Sequence, residues 1–118
     1  MRVERPWGSY EVLGTGEGYQ VKEIRVKPGM RLSYQRHARR SEYWLVISGV
    51  AEVVIEGEKR IARAGESVYV PLSFAHRVGA GEGEELVFVE IQRGTYLGED
   101  DIERLEDDFG RADKGSAS

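Results

Sequence analysis

The chain has 118 residues, with 17 Lys and Arg against 21 Asp and Glu, a formal charge of −4 and no cysteine. That length suits one domain. The missing cysteines exclude disulfides, thiolate nucleophiles and Cys-ligated metals, and the acidic balance offers no field that would attract nucleic acid. Any metal must be held by nitrogen and oxygen donors. No apolar run approaches the ~18 residues of a membrane span, and Met1-Arg2-Val3-Glu4-Arg5-Pro6-Trp7 carries no leader-like stretch. The expectation is a cytoplasmic protein without a membrane partner.

In chain order, apolar residues alternate with period two or form short runs broken by Gly, Pro or charged turns, which predicts an all-β fold. Expected strands cover 9–13, 19–26, 31–35, 42–48, 51–55, 59–62, 67–70, 76–78 and 86–92. Glu56-Gly57-Glu58 and Ser48-Gly49-Val50 read as hairpin turns, since Gly supplies the positive φ such reversals need. Along Tyr43-Trp44-Leu45-Val46-Ile47 both strand faces are apolar, so a second sheet or a second chain is expected over the outer face, with a homodimer as the expected state. Beyond Thr95 the acids Glu99, Asp100 and Asp101 precede Ile102, Leu105 and Phe109 at helical spacing, predicting a short C-terminal helix. The expected organisation is a single domain over 1–111 and a flexible tail over 112–118, where small polar residues cannot offset their ordering entropy.

Two spaced motifs carry the chemistry. Gly29, Gln35, His37, Glu42 and Gly49 form the first, and Gly65, Pro71 and His76 the second, with Ser73 and Ala80 at two variant positions. Together they resemble the cupin signature, with Gln35 where the family more often has a His. The resemblance implies a cupin double-stranded β-helix, or jelly-roll barrel, holding one divalent metal through Gln35, His37, Glu42 and His76. The spacing has its own logic. Residues 35 and 37 leave one face of a strand, Glu42 can return to that face on the next antiparallel strand after a short loop, and His76 would close the shell from across the barrel. Two imidazoles, a carboxylate and an amide oxygen suit Zn²⁺ first, with Mn, Fe or Ni as alternatives.

The resemblance narrows further. Arg5-Pro6-Trp7-Gly8-Ser9-Tyr10, Tyr19-Gln20-Val21-Lys22, Gln35-x-His37 followed by Arg40-Ser41-Glu42-x-Trp44, and Tyr96-Leu97-Gly98-Glu99-Asp100-Asp101-Ile102-x-Arg104 are similar to type II mannose-6-phosphate isomerase. In that family the cupin domain often follows a mannose-1-phosphate guanylyltransferase in one bifunctional enzyme. Ala38, Arg39 and Tyr43 stand where the family is rich in histidine. The resemblance implies a sugar-phosphate substrate and metal-dependent aldose–ketose isomerisation, mannose 6-phosphate to fructose 6-phosphate. Lys22 shares strand parity with Ile24 and Val26 and is the first candidate for proton transfer or oxyanion stabilisation. Glu90 is a second candidate base. Arg40 and Arg104 match family positions as phosphate ligands, and Arg39 and Arg77 are further candidates near the metal residues, because a guanidinium fork matches phosphate oxygens. Competing expectations are a non-catalytic module binding a sugar phosphate or sugar nucleotide, and a metal-dependent cupin dioxygenase.

Overall fold

A computed structural model describes residues 1–111; the tail expected over 112–118 lies outside the described residues. Eleven strands run in chain order: β1 (Arg2–Arg5), β2 (Gly8–Gly16), β3 (Tyr19–Val26), β4 (Tyr34–Arg36), β5 (Arg40–Ser48), β6 (Val50–Ile55), β7 (Glu58–Arg63), β8 (Ser67–Val70), β9 (His76–Ala80), β10 (Leu86–Gly94) and β11 (Glu103–Glu106). They form a six-stranded sheet, β1-β2-β3-β10-β5-β8, and a five-stranded sheet, β11-β4-β9-β6-β7. All the pairings in both are antiparallel. Among the described residues no helix is long and apolar enough to cross a membrane.

Period-two alternation puts one face of each sheet inside. Val26, Val46, Val53, Val70, Leu86 and Phe88 are fully buried there and pack with Ile24, Trp44 and Val78. Each large side chain removed from water in this way contributes roughly 1.5–3 kcal/mol. The opposite parity of β5 points outward, and Tyr43, Leu45 and Ile47 stay about half exposed. Among the described residues nothing covers that outer face, so the strand is not buried twice by them.

Two turns show why glycine sits where it does. Glu56 (φ 46°) and Gly57 (φ 81°) form the two-residue loop that pairs Ile55 with Glu58, and positive φ at both positions is the reversal that matches strand twist. The hairpin expected there is present. Gly49 does something else: β5 and β6 belong to different sheets, so Ser48-Gly49-Val50 is a corner, not a hairpin. At Gly49 (φ 81°) a Cβ would lie 2.4 Å from the Glu85 carbonyl oxygen.

The expected C-terminal helix is absent. Residues 103–106 pair with β4 instead, as Glu103↔Arg36, Arg104↔Gln35 and Glu106↔Tyr34, with an irregularity at Leu105. The extra residue of a bulge shifts strand parity and so imitates helical spacing at Ile102 and Leu105. A helix that short is marginal alone, whereas the strand gains the ion pair Arg36–Glu103, and Arg31 pairs with Asp108 just beyond it.

Candidate metal centre

The two sheets bring distant residues together at one end of the barrel. Gln35 on β4 lies directly across from His76 on β9 in the five-stranded sheet, His37 follows β4, and Glu42 faces them from β5 in the six-stranded sheet. The expected placement is therefore corrected: β4 and β5 do not pair, Glu42 is the residue from across the barrel, and His76 is the neighbour of Gln35. His37 Nε2 is 3.3 Å from Glu42 Oε2, and His76 Nε2 is 3.9 Å from Glu42 Oε1. One donor atom from each of these residues falls within 4.8 Å of the others, and all of them are buried. Gln35 lines the same cavity. Its amide nitrogen points to the Ser33 carbonyl at 3.5 Å, so the amide oxygen is the donor end.

The hydrogen bonds behind these groups orient them for a cation. His37 Nδ1 lies 2.7 Å from the Asp101 carbonyl and His76 Nδ1 lies 3.0 Å from the Phe74 carbonyl. A carbonyl only accepts, so both rings carry their proton on Nδ1 and turn an Nε2 lone pair toward Glu42. Burial, assisted by Arg40 and His76, lowers the His37 pKa to about 4, against the opposing pull of Glu42. The ring is neutral at pH 7, as a metal ligand must be. Burial alone would raise the Glu42 carboxyl, but the Arg40 guanidinium and the Trp44 indole N–H, which donates to Oε1 at 2.9 Å, hold it below the ordinary carboxylate range. The donor set fits a divalent ion. One contact must give way: Arg40 Nη2 donates to His37 Nε2 at 3.2 Å while Arg40 Nε donates to Glu42 Oε2 at 2.9 Å, and a neutral imidazole nitrogen has a single lone pair.

The remaining candidates divide. Lys22 and Glu90 are register partners on β3 and β10, both buried and both lining the cavity. Lys22 Nζ donates to Glu99 Oε2 at 2.5 Å and lies 4.2 Å from the Tyr10 ring centroid. Burial, with the Glu42 charge beside it, pushes the Glu90 carboxyl up to about 8, outweighing Arg40 and Lys22. Arg40 and Arg104 line the cavity, as do Arg5 and Arg111, which the sequence reading did not nominate. Arg39 is exposed and sits 5.5 Å from the Tyr96 ring centroid, outside the cavity wall. Arg77 follows His76 on a strand and so leaves the opposite face, donating to the Leu32 and Glu106 carbonyls. Neither Arg39 nor Arg77 is brought to the cavity. Trp7, Tyr10 and Trp44 are cavity walls, whereas Phe74 is not among them.

Comparison with known proteins matches the chain to a family. A family model described as "Mannose-6-phosphate isomerase C-terminal" matches residues 1–107. The chain belongs to that family. Alginate biosynthesis protein AlgA of Pseudomonas aeruginosa is 48% identical over 109 residues, covering 92% of this chain and 23% of that protein. A mannose-1-phosphate guanylyltransferase of Salmonella montevideo is 45% identical over 109 residues, again 92% of this chain and 23% of the relative. The chain thus spans about a quarter of the length of these relatives. Among solved structures, the capsular polysaccharide assembling protein CapF of Staphylococcus aureus superposes with TM-score 0.76 at 21% identity, over 90% of this chain and 34% of that one. A cupin 2 domain-containing protein of Halorhodospira halophila gives 0.67 at 22% identity, over 71% and 62%. These likenesses show the fold, an all-β cupin barrel. The departures from the histidine-rich pattern fall outside the cavity: Ala38 and Arg39 are exposed, and Tyr43 stacks on Tyr69 on the outer face, with ring centroids 4.5 Å apart.

Proposed function

We propose that this domain is a metal-dependent aldose–ketose isomerase of a hexose phosphate, interconverting mannose 6-phosphate and fructose 6-phosphate. The observation that carries the reading is the convergence of His37, Glu42 and His76 on one point, beside the buried pair Lys22 and Glu90. The family and the mannose phosphate in a relative's name support the substrate. His37, Glu42, His76 and Gln35 would hold one ion, Zn²⁺ or Mn²⁺, which when bound polarises a carbonyl and its neighbouring hydroxyl.

The chain's own groups do the rest. Isomerisation moves a proton from C2 to C1 through an enediolate. Glu90, raised to about 8, is a stronger base than an ordinary carboxylate when ionised and a proton donor when neutral, so one group takes the proton from C2 and returns it at C1. The Lys22 ammonium stabilises the oxygen on which charge develops. Arg104, Arg5 and Arg111 at the cavity wall supply cations for the phosphate. The cavity is about 80 Å³, below the roughly 300 Å³ at which small-molecule sites begin, so it must widen to admit a sugar.

A coupled assay for fructose 6-phosphate, run with Zn²⁺ and with Mn²⁺ and with His76→Ala as control, tests the reading. Turnover lost in the variant supports it. No turnover with any hexose phosphate retires it, and sugar-phosphate stabilisation without turnover, or oxygen uptake with bound iron, would point to a binding module or a dioxygenase instead. We also propose that a second copy covers the outer face carrying Tyr43, Leu45, Ile47, Tyr69 and Ile91, which are 42–51% exposed. An eluted mass equal to one chain would overturn that.

A further inference from the structure

Between β10 and β11 the chain contributes Glu99 and Ile102 to the cavity wall, and its consecutive acids hold different partners. Glu99 accepts from Lys22, Asp100 accepts from the Tyr96 hydroxyl, and Asp101 grips the loop that leaves His37. The Asp101 grip is two-handed. Oδ1 accepts from the Ala38 backbone N–H at 3.0 Å and Oδ2 from the Arg39 N–H at 2.9 Å, while its own carbonyl accepts from His37 Nδ1 at 2.7 Å. The carboxylate thereby fixes both the turn after His37 and the carbonyl that sets the ring's tautomer.

The two imidazoles differ in this respect. His76 is oriented by Phe74, two positions away in its own chain segment, whereas His37 is oriented by a residue 64 positions away. Its alignment therefore depends on this strap staying docked. Building on the metal-centre reading above, we infer that Asp101 is a positioning residue for the metal site, acting through His37 and touching neither metal nor substrate. Groups that orient metal-bound histidines are worth about 10–100-fold in metal affinity. Here the side chain works one step further back, through the backbone it pins.

The test measures Zn²⁺ affinity of the full chain by competition with a chromogenic chelator, alongside thermal unfolding of the metal-free protein and the ¹⁵N shifts of the His37 ring. Asp101→Ala is expected to lower affinity roughly 10–100-fold and to mix the His37 tautomers. Asp101→Asn, which keeps one acceptor oxygen, should recover part of the loss and remains informative if the alanine variant folds poorly. Asp100→Asn in the same strap should bind like the parent. Affinity within twofold of the parent for both Asp101 variants, with an unchanged tautomer, overturns the inference and leaves the metal site standing. An equal loss in Asp100→Asn also overturns it, since the strap as a whole would then be responsible. If the parent binds no Zn²⁺, the metal-centre reading falls together with this inference.

Discussion

The two ends of the barrel are made by the same strands and have opposite chemistry. Along the inner face of β3 the order is Lys22, Ile24, Val26; along β10 it is Gln92, Glu90, Phe88, Leu86; along β5, Glu42, Trp44, Val46; and along β9, His76, Val78, Ala80. Each of these four strands changes from polar to apolar along its inner face. The apolar end supplies transfer energy and close packing. The polar end places buried charges side by side and, among the described residues, holds the buried side-chain atom without a partner, Gln92 Oε1. Buried ionic clusters are weak sources of stability, so the polar end is read as the working end, resting on an apolar plug.

That contrast can be broken from either side. The largest expected effect is His76→Ala: loss of turnover by at least about 10³-fold, consistent with removing a metal-ligating group, in the isomerase assay, with thermal unfolding of the metal-free protein little changed. At the other end, Phe88→Ala should lower unfolding free energy by about 3–5 kcal/mol in urea titrations, with Zn²⁺ affinity retained by the folded fraction. A variant that lost both properties at either end would dissolve the division.

Glu90 sharpens it through pH. Its folded pKa of about 8 lies above the ordinary carboxylate value, chiefly through burial, so the folded state holds a proton that the unfolded state releases. The associated stability is fully present below about pH 4.5 and is lost as pH rises through about 8. In metal-free protein, stability should therefore fall on the order of 5 kcal/mol across that window. Glu90→Gln, which cannot titrate, should remove most of the slope in urea titrations at several pH values; an unchanged slope would place its origin elsewhere.

The smallest expected effect concerns the loop into β9. Ser73 stands where the cupin motif has glycine and adopts φ 67°, a left-handed conformation that costs a residue with a Cβ about 1–2 kcal/mol. Ser73→Gly should raise stability by about 1 kcal/mol, less than the full strain because glycine loses more entropy on folding. Differential scanning calorimetry would read it.

Much of this was legible before folding, for a definite reason. The candidate metal positions sit at fixed offsets from turn-forming glycines and a proline, so the resemblance to the cupin signature picked out Gln35, His37, Glu42 and His76. Which sheet each belongs to could not, because the corner at Gly49 looks locally like the hairpin at Gly57. Arg77 was legible and misassigned: adjacent to His76 on a strand, it had to face the other way. The β11 strand was hidden by its bulge at Leu105. Asp101 and Glu99 were visible only as part of a family-like segment, since their partners are 62 or more residues distant.

Anomalous diffraction from crystals grown with Zn²⁺ tests the central claim most directly. One peak per chain is expected, at about 2.0–2.2 Å from His37 Nε2, a Glu42 oxygen and His76 Nε2, with Arg40 Nη2 moved off His37. A saturating Zn²⁺ concentration that left Arg40 seated between His37 and Glu42, with no peak among those donors, would contradict it.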